Sequence, residues 1–233
     1  VAWSWLRCPY RFRFIPQKRV VMRHDLTDIT MVIDRSGSMH AIRSDAEGGI
    51  NAFIQQQKQE QEAGETVLTL VQFNTTDEVV HRGVPVLQVP TFQLKPSGST
   101  ALLDAVGQAI LDTGARLEAI EESQRPGLVI FVIVTDGLEN ASRRFTREQI
   151  RAMIRHQQSA YRWQFTFLAA NQDAFAEGES LGIAQEGIAN YAQHKVRETY
   201  NAFAQKVTRM KQAAQNNSPL DNRFTPEELA DMN

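Results

Sequence analysis

The stretch that decides the fold is Thr30-Met31-Val32-Ile33-Asp34-Arg35-Ser36-Gly37-Ser38-Met39. An apolar run ends at Asp34, and two hydroxyl groups follow at alternate positions, those of Ser36 and Ser38. These three side chains offer oxygen atoms only, and oxygen ligands suit Mg²⁺, Mn²⁺ or Ca²⁺ rather than zinc or copper. The stretch therefore predicts a strand that leads into a loop able to hold a magnesium-like ion.

The overall composition limits the class of protein. With 233 residues, of which 42% are hydrophobic and 22% charged, the chain can bury the core of one ordinary globular domain. Its single cysteine, Cys8, excludes an intramolecular disulfide, and the paired Cys/His spacing of a structural zinc site is missing. No apolar run approaches the roughly 20 residues needed to cross a bilayer, and the start does not resemble a secretion signal. We therefore expect a cytoplasmic protein without a membrane span.

Residues 1–25 are predicted to form a basic arm ahead of the folded domain. The first 23 residues hold six Arg or Lys and no Asp or Glu, although the net charge of the whole chain is −2. Aromatic residues are interleaved with these cations, which suits nucleic acid or an anionic membrane surface. The alternative, which we favour for residues 1–21, is a non-native extension, because Met22 is a plausible start just before the first strand. We therefore do not expect nucleic-acid binding.

From Leu26 onward, apolar strand-like runs alternate with segments of helical period, which is the pattern of βαβ units around a mostly parallel sheet. Strands are predicted at 29–33, 66–73, 128–134, 165–169 and 188–191, with an edge segment at 79–89 that Pro85 interrupts. The run at 128–134 is so uniformly apolar that both of its faces should be covered. Helix starts are predicted from two capping boxes and one capping threonine, namely Ser44 with Glu47, Thr146 with Gln149, and Thr225. A cap at Asp173 would begin a further short helix.

The chain is accordingly divided into the arm, a domain over residues 26–212, and a tail over residues 213–233. A helix lined by Val196, Tyr200, Phe203, Val207 and Met210 should end the domain. The tail reads as a polar linker followed by a short helix that packs on the body or serves as a peptide ligand for another protein.

Two further residues carry oxygen ligands at suitable places. Thr100 lies in a flexible loop that runs into a predicted helix, and Asp136 directly follows the apolar strand at 128–134. Each also has a purely structural interpretation, Thr100 as a helix cap and Asp136-Gly137 as a tight turn. In an open parallel sheet, ligands bind beyond the carboxyl ends of the strands, so Thr100, Asp136 and the Asp34 loop are all expected at one edge.

This combination resembles the von Willebrand factor A-type (vWA) domain. The metal-ion-dependent adhesion site (MIDAS) of that family consists of an Asp-x-Ser-x-Ser loop, a distant Thr and a later Asp. The resemblance covers about residues 26–212 and implies an α/β, Rossmann-like fold. Its six-stranded sheet is mostly parallel with one antiparallel edge strand, and it carries helices on both faces. Segments 136–144 and 163–171 also look like those of small bacterial intracellular members of the family.

The resemblance implies how five residues would be used. Hydroxyl groups of Ser36, Ser38 and Thr100 would contact the cation, while Asp34 and Asp136 would hold it directly or through ordered water. A partner protein would then supply an Asp or Glu as a further ligand. Specificity would come from rim residues, for which the candidates are Arg35, His40, Glu139, Asn140, Arg143, Arg144, Asn171 and Asp173.

The function expected from these residues is a metal-dependent protein-binding module without enzymatic activity. A sharper form, suggested by related intracellular domains, is an adaptor that works with an ATPase or chelatase component. The alternative is a Mg²⁺-dependent phosphoryl-transfer or hydrolytic enzyme that uses Asp34 as its nucleophile. The sequence disfavours that enzyme, because Ser36 stands where such loops usually place a second carboxylate and no glycine-rich Walker loop is present.

Overall fold

The structure is a computed structural model that describes residues 22–60, 62, 64–170 and 174–232. A six-stranded sheet in the order β3-β2-β1-β4-β5-β6 forms its centre. All neighbouring strands are parallel except β2 and β3, which pair antiparallel at one edge. The strands are β1 (Arg23–Asp34), β2 (Glu65–Phe73), β3 (Asp77–Pro85), β4 (Pro126–Thr135), β5 (Gln164–Ala169) and β6 (Ile188–Asn190). The predicted α/β fold with one antiparallel edge strand is confirmed.

Helices cover both faces of this sheet. They are α1 (Arg43–Gln59), α2 (Leu102–Glu118), α3 (Arg147–Tyr161), α4 (Ala174–Ser180), α5 (Val196–Gln215) and α6 (Pro226–Met232). One buried apolar cluster joins α1, α5 and α6 to the sheet, and a second joins α2, α3 and α4 to the opposite face. The sheet is therefore the middle layer of three.

Strand β4 shows why its sequence is uniformly apolar. Alternate side chains, such as Ile130 and Val132, belong to the cluster under α1 and α5. Their neighbours Phe131 and Ile133 belong to the cluster under α2 and α3. Since β4 lies between β1 and β5 and both of its faces are covered, the prediction of a central parallel strand is confirmed.

Two predicted capping motifs are confirmed. At the start of α3, Thr146 accepts a hydrogen bond from the Gln149 N–H, and the Gln149 side chain accepts one from the Thr146 N–H. At the start of α6, the hydroxyl of Thr225 accepts from the Glu228 N–H in the same way. Helix α6 packs on α5 and buries Met232 completely, so the tail packs on the body.

The predicted capping box at Ser44 is wrong. Helix α1 begins at Arg43 with Ile42 as its N-cap, because the chain enters it from a short 3₁₀ helix at Gly37–His40. Ser44 thus lies inside the helix. The carboxylate of Glu47 accepts a hydrogen bond from the Leu94 N–H at 2.9 Å, so a contact across the fold uses the group that the box would have needed.

Several boundaries differ from the expectation. Strand β1 begins at Arg23 rather than 29, inside the predicted arm, and the Arg23 N–H bonds to the Arg125 carbonyl beside β4. Helix α5 continues to Gln215, past residue 212, because Ala214 is still buried. The edge segment is a single strand that ends at Pro85, followed by a 3₁₀ turn. The division into arm, domain and tail stays a prediction.

Some predictions fall outside the described residues. Residues 1–21 of the arm and the proposed cap Asp173 belong to this group. A helix with the length and apolarity of a transmembrane span is absent from the described part of the chain.

Candidate metal centre

The carboxyl ends of β1 and β4 bring the two aspartates of the predicted site to one edge. Asp34 is the last residue of β1, and Asp136 directly follows β4, which pairs with β1 in parallel register. Thr100 lies just before α2, whose N-cap is Ala101, so Thr100 is not the helix cap. The three segments therefore converge where the topology of a parallel sheet predicts.

Hydrogen bonds join the Asp-x-Ser-x-Ser loop to Asp136. The Ser36 N–H donates to Asp34 Oδ1 at 2.6 Å, and the two serine hydroxyls lie 3.0 Å apart. The Ser38 hydroxyl in turn donates to Asp136 Oδ1 at 2.6 Å. These contacts form a continuous line of oxygen atoms from β1 to β4.

Gly137 shows that Thr100 belongs to the same group. A Cβ atom placed on Gly137 would lie 3.3 Å from Thr100 Oγ1, 3.4 Å from Ser38 Oγ and 3.8 Å from Asp34 Oδ2. Oxygen atoms of the Asp34 loop and of Thr100 thus lie within 4 Å of one point beside Asp136. The structure brings together all five residues that the sequence singled out.

The electrostatics of this edge suit a cation. Burial raises the pKa of Asp34, whose side chain is completely buried, and the nearby Asp136 raises it further, against hydrogen bonds from Ser36 and Thr135. Burial also raises the pKa of Asp136. The raised pKa values mean that the ionised carboxylates are disfavoured here, and a divalent ion would compensate both charges. The donor set therefore fits a hard metal ion.

Hydroxyl oxygens are needed to complete such a site. In the part of the chain that the structure describes, no cluster of three or more His, Cys, Asp or Glu could hold a metal ion. Two carboxylates with three hydroxyls give an oxygen-only set, which favours Mg²⁺, Mn²⁺ or Ca²⁺.

Thr135 is a functional candidate that the sequence reasoning missed. Its hydroxyl donates to Asp34 Oδ2 at 2.7 Å and accepts from the Gly137 N–H at 3.1 Å. This one side chain therefore orients both Asp34 and the turn after Asp136. The available signal was its position, since a hydroxyl residue at the end of a strand and beside a ligand often supports that ligand.

The loop after Asp136 is held by two acids and an amide, of which Glu139 and Asn140 had been predicted as rim residues. Glu139 accepts from the N–H groups of Leu103, Ala141 and Ser142 and from the Ser142 hydroxyl. Asp104, not noticed in the sequence, accepts from three consecutive N–H groups at residues 143–145. The Asn140 side chain accepts from the Thr100 N–H at 2.9 Å. Glu139 and Asn140 are thus internal supports rather than free rim residues.

The Thr100 loop is more firmly held than its sequence suggested. The Gly98 carbonyl accepts from the Gly37 N–H at 3.0 Å, and the Ser97 N–H donates to the Arg35 carbonyl at 2.8 Å. On the other side, the Asn74 carbonyl accepts from the Ala101 N–H. Backbone hydrogen bonds therefore tie this loop to the Asp-x-Ser-x-Ser loop and to the β2–β3 turn.

The remaining rim candidates divide into paired and free side chains. Arg35 pairs with Glu78 at 3.2 Å, and Arg144 pairs with Asp77 and Asp104. Arg143 and His40 are exposed and make no side-chain hydrogen bond or ion pair with another described residue. Asn171 and Asp173 lie outside the described residues.

Comparison with known proteins bears on the fold. Neither a protein-family model nor a curated protein sequence matches the chain. Among solved structures, the von Willebrand factor type A protein from Catenulispora acidiphila matches with a TM-score of 0.54 and 14% identity, over 79% of this chain and 43% of that protein. The fold is that of a von Willebrand factor A domain.

Two other solved structures share the vWA fold. Proximal thread matrix protein 1 from the mussel byssus, with a zinc-occupied MIDAS motif, gives a TM-score of 0.54 and 14% identity over 78% of this chain and 46% of that protein. A D319A mutant of the PilB minor pilin from Streptococcus sanguinis gives a TM-score of 0.56 and 14% identity. That match covers 83% of this chain and 63% of the pilin. The chain thus spans less than two thirds of each of these proteins, and the likeness concerns the fold.

Proposed function

We propose that the protein is a metal-dependent protein-binding module that ligates a partner's carboxylate through a divalent cation. The cation would be held by the convergent set Asp34, Ser36, Ser38, Thr100 and Asp136. The observation that carries the proposal is that oxygen atoms of the Asp34 loop and of Thr100 lie within 4 Å of one point beside Asp136, and the Ser38 hydroxyl binds Asp136 itself.

The chain's own residues prepare this edge for a cation. Asp34 and Asp136 provide two negative charges, which match the charge of one divalent ion. Thr135 and the Ser36 N–H fix the two oxygens of Asp34, so this ligand is oriented before a cation arrives. When bound, the cation supplies a Lewis-acidic position at which an incoming Asp or Glu replaces water. One partner carboxylate could therefore act as a hot spot for a whole interface.

We assign the site to Mg²⁺, with Mn²⁺ and Ca²⁺ as the other hard ions that an all-oxygen set accepts. The zinc-occupied MIDAS motif of the mussel protein supports a divalent ion in general.

A binding role is favoured over catalysis by the surroundings of Asp34. Its side chain is completely buried, and both carboxylate oxygens already accept short hydrogen bonds. A nucleophilic aspartate needs an exposed oxygen that can approach a phosphorus atom in line. We therefore propose a non-enzymatic adaptor in a cytoplasmic protein assembly, with an ATPase or chelatase component as the candidate partner.

The test is capture of a partner by the immobilised full chain in Mg²⁺ and in EDTA. We expect one partner to be retained in Mg²⁺, released by EDTA and lost with Asp34→Ala, because the variant removes a ligand. Asp112→Ala is the matched control, since Asp112 lies on α2 in an ion pair with Arg82, outside the site. Equal capture in EDTA, or phosphatase turnover abolished by Asp34→Asn, would reject the binding function.

A further inference from the structure

Among the described residues, the acids near the carboxyl end of β1 and β4, apart from the two site aspartates, already have partners. Each accepts a hydrogen bond or forms an ion pair within the fold: Asp45 with Arg197, Glu47 with the Leu94 N–H, Asp77 with Arg144, Glu78 with Arg35, Asp104 with three N–H groups, and Glu139 with three N–H groups and a hydroxyl. Their carboxylate oxygens are therefore occupied in holding loops in place.

Three cations at the same edge have no such partner. Arg43, Lys95 and Arg143 are exposed, and their side chains make no hydrogen bond or ion pair with any other residue that the structure describes. Arg43 is in the first turn of α1, directly after the metal loop and its 3₁₀ turn. An arginine at this position gains nothing from the helix dipole, which favours anions there. Its charge is thus available to a partner.

The other two cations lie on segments that are bonded to the site. Lys95 precedes Ser97, whose N–H donates to the Arg35 carbonyl inside the metal loop. Arg143 follows Ser142, whose hydroxyl accepts from the Asp104 N–H in the first turn of α2. The three cations therefore come from three different segments around the edge and form a positive rim of exposed side chains.

An apolar side chain is displayed at the same edge. Leu138 is 54% exposed, although it lies between Asp136, which is bonded to Ser38, and Asn140, which is bonded to Thr100. Hydrogen bonds thus hold the chain on both sides of Leu138, so covering the leucine orders mainly its own side chain. An exposed leucine beside a polar site is suited to contact an apolar side chain of a partner.

We propose that the metal site receives an acidic peptide segment of another protein, in which an apolar residue lies next to the ligating Asp or Glu. This inference rests on the proposed function. One carboxylate ligates the cation, neighbouring acids face Arg43, Lys95 and Arg143, and the apolar residue covers Leu138. The three exposed cations each offer a partner to an incoming acid, so they contribute specificity as well as affinity.

The probe is a random peptide library displayed on phage and selected on the immobilised full chain, in Mg²⁺ and in EDTA. Selected sequences should be enriched in several Asp or Glu with a Leu, Ile or Phe beside one of them, in Mg²⁺ only. A triple variant, Arg43→Ser with Lys95→Ser and Arg143→Ser, should still select single acids but lose the preference for acidic runs. The matched control is Arg151→Ser with Arg155→Ser, two exposed arginines on α3 without partners among the described residues.

Affinities of one selected peptide sharpen the result. Removing each rim cation should weaken binding about 2–5-fold, as expected for exposed charges, with a larger effect at low salt. Leu138→Ser should weaken binding about tenfold with little change in salt dependence, because it removes apolar contact. The control pair should bind as the wild type does.

The contradicting outcomes separate this inference from the proposed function. Magnesium-dependent selection of single acids in neutral, non-apolar surroundings would overturn the acidic-segment proposal and leave the binding module standing. Equal binding of single-stranded DNA, or self-association that requires Mg²⁺, would assign the positive rim to a nucleic acid or to a second copy of this chain. The absence of any peptide selected by Mg²⁺ over EDTA would overturn both proposals.

Discussion

The amino and carboxyl ends of the sheet both bury charged side chains, but they surround them differently. Towards the amino end, Asp28 binds Arg116 through two hydrogen bonds of 2.7 and 2.8 Å, so a buried carboxylate meets a cation of the fold. At the carboxyl end, Asp34 and Asp136 lie near each other with hydroxyl and N–H donors, and no ion pair reaches either one among the described residues.

The difference indicates that the amino end contributes to stability and that the carboxyl end is suited to binding a ligand. The buried carboxylate of Asp28 is satisfied by Arg116 within the fold itself, so removing this cation should affect stability. The two carboxylates at the carboxyl end have raised pKa values because burial disfavours their charged forms. A fold that maintains such a pair loses stability unless a cation is bound, which is the pattern expected of a ligand site. Perturbing each end should therefore have distinct consequences.

The largest effect is expected from Arg116→Ala at the amino end. Asp28 is only 3% exposed, so the variant leaves a buried carboxylate without its cation, which costs about 3–5 kcal/mol of unfolding free energy. Urea unfolding in EDTA measures this loss, with Arg82→Ala in an exposed ion pair as the control that should change stability by at most about 1 kcal/mol. If Arg116→Ala instead removed the response to Mg²⁺ without loss of stability, the two ends would not differ as described.

Asp34→Asn should have the opposite effect on stability at the carboxyl end. The raised pKa of Asp34 means that its ionised form destabilises the metal-free fold at neutral pH, so the neutral amide should raise the melting temperature in EDTA. The wild type should gain about 2.7 kcal/mol from Mg²⁺ at a hundred times its Kd, and the variant none. Thermal unfolding with and without Mg²⁺ measures both changes. A variant that is less stable in EDTA yet keeps its Mg²⁺ response would refute this assignment.

Thr135→Val should weaken metal binding by about 10–100-fold, because the hydroxyl orients Asp34. Thr30→Val is the matched control, since Thr30 is equally buried and its hydroxyl lies 3.0 Å from that of Thr113, away from the site. Calorimetric titration with Mg²⁺ gives both dissociation constants. Equal affinities in the two variants would show that Thr135 has no special part in the site.

The smallest effect concerns Lys206, whose pKa is lowered because burial disfavours its ammonium form. The unfolded chain binds a proton that the folded chain releases between the lowered pKa and the ordinary value of 10.5, so stability should rise with pH in that window. Lys206→Met lacks this term. Below that window the variant should have a larger free energy of unfolding than the wild type. This difference should shrink by up to about 1.4 kcal/mol per pH unit as the pH approaches 10.5. Urea unfolding of both proteins at several pH values tests this, and a constant difference would contradict it.

The sequence predicted the fold and the site where local pattern and topology agree. Apolar runs gave the order of strands and helices, and the parallel sheet then required residues 34, 100 and 136 to meet at one edge. Thr146 with Gln149 was predictable because the capping box is a purely local motif. The five site residues were found because their three segments lie at strand ends or at a helix entrance, and because together they match the MIDAS pattern of the vWA family.

The supports of the site could not be read from the sequence in the same way. Asp104 lies in the first turn of α2 and binds N–H groups at residues 143–145, a contact fixed only by how α2 packs beside the loop after β4. Ser44 and Glu47 matched a local motif, but the chain entered α1 from a 3₁₀ turn and Glu47 bound Leu94 instead. Contacts between distant segments overrode the local signal in both cases.

Uptake of Mn²⁺ followed by electron paramagnetic resonance tests the central claim most directly, because the free ion gives the signal that binding removes. The wild type should take up one Mn²⁺ per chain, Mg²⁺ should displace it, and Asp136→Asn should take up none at the same concentration. Asp112→Asn, outside the site, should behave as the wild type does. A wild-type chain that leaves Mn²⁺ free, or equal uptake by Asp136→Asn, would show that the five convergent residues are not a metal centre.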